Sequence, residues 1–353
     1  MRDMTNVSME NAMQSFMERK RFMKEKLKYI VINGFGWSGS SALVDFMREF
    51  DRACVPEEEF RILKEPFGVI DLDRALNDSL ELLNEDIAIR CFRELCAVYY
   101  RMNGRFKPFG FNMKKDFGVN FYKISEKYID ELVDDWYHSH WWFITMRDSR
   151  FRIMLWAALR RLHIYDRYDH FDMSLYTKSE EEFLAITKRY IDRIFLDLTK
   201  GMDKDIIVLD QAVPTSRPEY AKRYMRNAKV IVVDRDPRDQ YIDLINNNML
   251  IGPDVRKTHN VKLFVKWFMR YHIPWREGVD AVRIQFEDLV LKYDETIEKV
   301  CDYAGLDLKD HTNPKKYFDP AVSARNIGLW RTYEYQEDMR KIENALPDFI
   351  FQK

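Results

Sequence analysis

The stretch YIVINGFGWSGSSALVDFM, Tyr29 to Met47, constrains this chain more than any other. A hydrophobic strand pattern runs into a glycine–serine turn, and an amphipathic helix pattern follows it. Gly34, Gly39 and Ser41 fill three of the four fixed positions of the phosphate-loop pattern G-x-x-x-x-G-K-[ST]. The fourth position, where a nucleoside triphosphatase needs lysine, is Ser40. Such a turn aims consecutive backbone N–H groups at one spot with a helix N-terminus behind it, a seat for phosphate. The missing lysine narrows the ligand to one whose phosphates are held without it.

The rest of the chain reads as strands alternating with helices. Three compact, β-branched runs, DIIVLD (205–210), KVIVVD (229–234) and AVRIQF (281–286), each precede a polar turn and a helical stretch. That order implies a parallel sheet covered on both faces. The middle third, about 65–200, reads as a helical insertion, with helices over 72–102, 150–163 and 179–200. A loop or a short strand is expected over 103–118 and a buried strand at His140 to Met146. With 353 residues and no repeats, low-complexity tracts or Pro/Gly-rich linkers, one domain over 29–353 is favoured over two.

Residues 1–28 read as a helical extension whose Met and Phe positions are interleaved with Arg19, Lys20, Arg21, Lys24 and Lys26. This pattern suits a helix packed on the domain or a partner chain, with peripheral membrane contact as the other reading. It has no apolar secretory core and is too charged to span a bilayer. Cys54, Cys91, Cys96 and Cys301 show no C-x-x-C spacing, so reduced thiols in a cytoplasmic protein are expected. Lys plus Arg (57) and Asp plus Glu (58) nearly cancel, which argues against a dedicated nucleic-acid binder.

Three further segments carry chemistry. In KVIVVDRDPRDQY, Arg235 and Arg238 follow the strand's carboxyl end, the edge where open α/β sheets bind ligands. Guanidinium forks there suit a second phosphate, or else an ion cluster with Asp236 and Asp239. VRIQFEDLVLKYDETIEKVCDYAGL (282–306) couples a buried strand to an acidic turn and a helix. SARNIGLWR (323–331) is a polar loop whose Trp330 is suited to stack on a base.

This set of four, in this order, resembles the superfamily of sulfotransferases that use 3′-phosphoadenosine-5′-phosphosulfate (PAPS), closest in pattern to carbohydrate-type and bacterial members. GFGWSGSSAL looks like that family's 5′-phosphosulfate loop, and VDRDPRDQY like its 3′-phosphate motif. IQFEDL…VCDYAGL and GLWR resemble its later segments. The resemblance spans Tyr29 to Arg331, with about 65–200 too divergent to align. It implies an α/β fold with a P-loop-type central parallel sheet flanked by helices. It also implies PAPS as co-substrate, 3′-phosphoadenosine-5′-phosphate (PAP) as product, and no metal. Gly36, Trp37, Ser38, Gly39, Ser40 and Ser41 would hold the 5′ end; Arg235, with Arg238, Ser323 and Arg325, would hold the 3′-phosphate.

Two positions depart from the family. Trp37 stands where a basic residue usually precedes the loop serine; Lys64, Arg61, Lys114 and Lys115 are candidates to replace that charge. Asp243 stands where a serine usually helps bind the 3′-phosphate. For the general base, the family's E-x-[HR] context about twenty residues past the loop glycine points to Glu59, then Glu58, then Glu57. His138 and His140 are the weaker alternative; with Asp135 they also form a zinc set by ligand type alone. The role of Asp210, which ends the IIVLD run, is open.

The expected function is sulfuryl transfer to a hydroxyl of a small-molecule or glycan acceptor, with carbohydrate favoured. Trp136, Trp141 and Trp142 are placed either in an acceptor cleft or in the core. The alternatives are a P-loop phosphotransferase and a non-catalytic PAP-binding relative.

Overall fold

A computed structural model describes residues 27–79, 81–101, 116–139, 149–163, 172–247, 260–272 and 280–352. Its strands are β1 (Lys28–Gly34), β2 (Ala53–Cys54), β3 (Asp135–His138), β4 (Asp172–Leu175), β5 (Ile206–Asp210), β6 (Ala228–Asp234) and β7 (Val282–Gln285). Five of them form one sheet in the order β2-β5-β1-β6-β7, and every neighbouring pair is parallel. β1 is central. The register sets Ile32 beside Asp210 and Gly34 beside Val233, so the carboxyl ends of β1, β5 and β6 form one edge.

Alternation along the strands supplies both faces. Tyr29, Val31, Ile207, Leu209, Val230 and Val232 pack into one cluster with the inserted helices. Ile30, Ile32, Val208, Ile231, Val233 and Ile284 pack on the other face with Leu43, Phe46, Ile297 and Val300. The helices that matter below are α1 (Ser40–Met47), α2 (Leu82–Arg101), α3 (Phe121–Leu132), α4 (Glu180–Leu198), α5 (Pro237–Asn247), α6 (Val261–His272), α7 (Phe286–Leu291), α8 (Tyr293–Ala304) and α9 (Gln336–Ala345).

The insertion between β2 and β5 is helical, as expected, and its core is aromatic. Tyr128 of α3 and Tyr190 of α4 stack with centroids 4.3 Å apart, and Phe92 of α2 meets Tyr128 edge-on at 5.5 Å. Their hydroxyls are satisfied: Tyr190 pairs with Ser125 (2.9 Å) and Tyr128 with Thr187 (2.8 Å). A Ser179/Glu182 capping box starts α4.

The structure differs from the sequence reading in three places here. The helix expected over 72–102 is broken: a short helix Val69–Asp73 runs into a π turn at Arg74–Ser79 before α2 begins. The buried Asp73 carboxylate accepts from Nε and Nη2 of Arg223 and from the Tyr224 hydroxyl, which anchors that first turn to the body of the domain. Second, β3 and β4 form an antiparallel pair within the insertion, with His138 Nδ1 2.7 Å from Asp172. Third, Phe286 begins α7 instead of ending β7. The helical extension to residue 26, the strand at His140 to Met146, Trp141, Trp142, Lys114 and Lys115 lie outside the described residues. Among the described residues, no helix is long and apolar enough to cross a membrane.

Candidate active site

The loop between β1 and α1 is built from positive-φ residues. Gly36 (φ 72°), Trp37 (φ 55°) and Gly39 (φ 80°) coil the backbone tightly ahead of α1. Glycine is required at 39 for a second reason: a Cβ there would lie 2.4 Å from Cδ2 of Phe286. The loop's carbonyls are tied outward. Gly34 O accepts from Thr215 Oγ1 (2.8 Å) and Gln211 Nε2 (3.3 Å), Gly36 O from Gln240 Nε2 (2.9 Å), and Trp37 O from Arg235 Nη1 (2.9 Å). Ser38 Oγ accepts from the Phe35 N–H at 3.2 Å. Ser40 opens α1, and no carboxylate occupies that helix's first turn. The helix N-terminus and its loop therefore present an anion seat with a positive dipole end.

The RDPRD segment splits in two. Arg235, almost fully buried, faces the loop: besides Trp37 O it donates to Asn326 O (2.7 Å) and to the Asp243 carboxylate, and its Nε has no protein partner. Arg238 points elsewhere. It forks onto Asp236 (3.0 and 2.7 Å) and lies 3.8 Å over the Trp330 ring. Asp239 accepts from the N–H groups of Gly328 (2.7 Å) and Trp330 (3.1 Å). This half of the motif holds the GLWR loop in place, and Trp330 is spent on Arg238 instead of standing free for a base. The acidic turn after β7 does similar work. Glu287, buried, accepts the Asp236 N–H at 2.9 Å, and burial pushes its carboxyl up to about 7.

The loop forms one wall of a cavity of about 1090 Å³. Gly36, Trp37, Gly39, Ser40, Ser41, Arg235, Ser323 and Glu59 all line it, brought from four distant stretches of chain. Ser38 is buried beneath the loop; Arg238, Arg325 and Glu58 do not line the cavity. Burial is the main cause raising the Glu58 carboxyl, with Asp116, Glu57 and Glu59 adding to it. Glu59 pairs with Arg61 at 2.9 Å, and Arg61 is shared with Glu65. The Phe60 N–H donates to Asp210 O at 3.0 Å, which moors the glutamate segment to the end of β5.

Of the cations weighed for the charge missing at Trp37, Arg61 is thus engaged by two carboxylates. Lys64 lines the cavity and donates to Gln211 Oε1 (3.2 Å), whose amide in turn bonds Gly34 O and, at 3.4 Å, Ser40 Oγ. Burial, and secondarily the charge of Arg61, lowers its ammonium to about 8. Asp210 lines the same wall; burial, then the charge of Glu59, raises its carboxyl to about 7, and its Oδ1 has no partner. The Trp37 side chain itself packs against the apolar cluster of Tyr241, Phe264, Phe268 and Ile342, contributed by α5, α6 and α9.

Sequence reasoning missed several lining groups. Lys315, Lys316 and Tyr317 reach the cavity because buried Glu49, two residues past α1, accepts the N–H groups of Lys315 (3.1 Å), Tyr317 (2.9 Å) and Phe318 (2.9 Å). The available signal was a lysine pair after an Asn-Pro turn. Trp267 and Tyr271 of α6 also line the cavity, from a helix with no motif to mark it. Trp136, by contrast, sits on β3 with Arg93 over its ring and does not line the cavity.

The family model described as the sulfotransferase family matches residues 30–310, from β1 past β7. No curated protein matches the chain. Among solved structures, it is similar to the sulfotransferase domain of the Synechococcus PCC 7002 olefin synthase, at 11% identity over 91% of this chain and 94% of that one, with a TM-score of 0.39. It is similar to sulfotransferase STF9 from Mycobacterium avium at 10% identity, 95% and 80% coverage and a TM-score of 0.38. Retinol dehydratase, solved with androsterone and the inactive cofactor PAP, gives 13%, 91% and 80%, and 0.34. These structural likenesses are distant, so the assignment stands on the family match: this chain belongs to the sulfotransferase family.

Proposed function

We propose that this sulfotransferase binds PAPS against the β1–α1 loop and directs its sulfuryl group to a hydroxyl of a carbohydrate acceptor in the same cavity. The observation that carries the reading is convergence. The loop, Arg235 and the Glu59–Lys64 segment come from separate stretches and line one cavity of about 1090 Å³. The fit to the nucleotide rests on the loop's own chemistry: positive-φ backbone, a helix N-terminus free of acidic side chains, and a glycine at 39 where any side chain would strike Phe286.

PAPS, when bound, supplies an activated sulfuryl group with PAP as its leaving group. The chain's residues do the rest. Backbone N–H groups at the start of α1, with the Ser40 and Ser41 hydroxyls, would hold the 5′ end, and Arg235 would face the 3′ end. Glu59 is the proposed general base that takes the acceptor's hydroxyl proton. Lys64, tied to the loop through Gln211, is the proposed cation that offsets charge growing on the leaving oxygen, in place of the basic residue absent at Trp37. Trp267, Tyr271 and Tyr317 line the cavity and are the proposed aromatic contacts for a sugar. The four cysteines are free thiols, which suits the reducing cytoplasm proposed as its location.

Calorimetric titration with PAP, followed by turnover on a carbohydrate panel, tests this. PAP is expected to bind, and Glu59→Gln to keep that affinity while turnover falls by roughly 10²–10⁴-fold. Failure of the native protein to bind PAP, or stabilisation by ATP with magnesium instead, overturns the proposal.

A further inference from the structure

We propose that Asp243 relaxes the site's demand for a 3′-phosphate, so that a donor nucleotide with a free 3′-hydroxyl, adenosine 5′-phosphosulfate, is held about as tightly as PAPS. The inference rests on the reading above that Arg235 faces the nucleotide's 3′ end.

Arg235 meets the cavity with part of its hydrogen-bonding capacity and its charge already taken up. A guanidinium grips phosphate by presenting two parallel N–H groups from one edge. In this chain three of the five N–H groups are already engaged: Nη1 donates to Trp37 O and pairs with Asp243, and Nη2 donates once, to Asn326 O. Only Nε is without a partner. Arg235 is 3% exposed at its side chain and Asp243 21%, so the pair is poorly screened by water. Its charges cancel, and the carboxylate itself lines the cavity. A phosphate dianion brought there meets a like charge and an arginine whose own charge Asp243 already offsets. A hydroxyl meets neither obstacle, because an ionised carboxylate is an acceptor that a hydroxyl satisfies by donating.

The same chemical logic separates dinucleotide sites. An acidic side chain selects a free ribose hydroxyl and an arginine selects the phosphorylated form. Here both residues are present and bonded to each other, which predicts weak discrimination. The other cations that line the cavity from the far segment, Lys315 and Lys316, lie over the rings of Tyr293 and Tyr317 at 5.8 and 5.1 Å. Transfer from the 3′-hydroxyl donor balances in the same way. The acceptor oxygen bonds to sulfur, the bond from sulfur to the 5′-phosphate oxygen breaks, the proton passes to Glu59 and AMP departs.

The test compares PAP with 5′-AMP by calorimetry on the full chain, in the native protein and in Asp243→Ser and Asp243→Asn. In the native protein the two dissociation constants are expected within about tenfold, and removing the carboxylate should tighten PAP about tenfold or more while AMP moves less than about threefold. Native binding of PAP more than about tenfold tighter than AMP overturns the inference, as does an unchanged PAP-to-AMP ratio in both variants. Binding of neither nucleotide overturns the underlying site assignment as well, which separates the two failures. Asp243→Asn keeps the size and a hydrogen-bonding oxygen, so it reads out charge where Asp243→Ser disturbs packing.

Discussion

Lys64 makes the proposed chemistry sensitive to pH in a direction the structure fixes. Burial holds its ammonium at about 8, so the protonated fraction is about 90% at pH 7, about 10% at pH 9 and about 1% at pH 10. If that charge offsets the leaving oxygen, activity is lost as pH rises through 8. The parameter to measure is kcat/KM for PAPS, because it reports groups in the free enzyme. It should fall about tenfold per pH unit above 8 in the native protein. Lys64→Met should lower kcat/KM at pH 7 by roughly 10²–10³-fold, the scale of losing one pre-organised stabilising group, and erase the alkaline limb. Asp210 supplies a control with a definite sign. Its carboxyl titrates near 7 and its negative charge raises the Lys64 value, so Asp210→Asn should move the alkaline limb to lower pH. Stability runs with the same shift. The folded value lies below the ordinary lysine value of 10.5, so the unfolded chain binds more protons between about 8 and 10.5, and stability rises with pH across that window. Below pH 8 the burial cost is fully present, and Lys64→Met should raise Tm there. A kcat/KM that stays flat from pH 7 to 10, or a Lys64→Met variant with the native rate and limb, refutes the assignment.

Three other perturbations probe the frame around the site. Gly39→Ala forces a side chain into φ 80° and against Phe286 at 2.4 Å, so PAP affinity by calorimetry should drop at least about tenfold with a lowered Tm; unchanged affinity would refute the close-packed loop. Arg238→Ala strands the buried Asp236 carboxylate and uncovers Trp330. It should cost about 3–5 kcal/mol in urea unfolding, and a loss below about 1 kcal/mol would remove the pair from the structural frame. Glu49→Ala orphans three N–H groups at Lys315, Tyr317 and Phe318. It should destabilise by about 3 kcal/mol or more and raise proteolytic cutting near Lys315; native-like protection would contradict the anchoring role.

The parallel sheet and the β1–α1 turn were legible because both are encoded locally. Strand runs with alternating burial, a glycine needed at positive φ, and a helix beginning at Ser40 leave their marks within a few residues of sequence. The order of the four motifs carried the family, and the family match agrees. Side-chain partnership is another matter. Arg235 and Arg238 sit three residues apart and look alike in sequence, yet one faces the cavity and the other is locked to Asp236 beneath Trp330. Lys64 gains its place through Gln211, and Lys315 through Glu49, across separations of 147 and 266 residues. Trp37, which stands where the family usually has a basic residue, packs on an apolar cluster that its sequence position did not reveal. The sequence by itself determined where the backbone bends into the turn proposed to receive a phosphate. Only the tertiary structure decided which charges remain free to meet it, because a buried ion spends its hydrogen bonds on whatever the fold brings within reach.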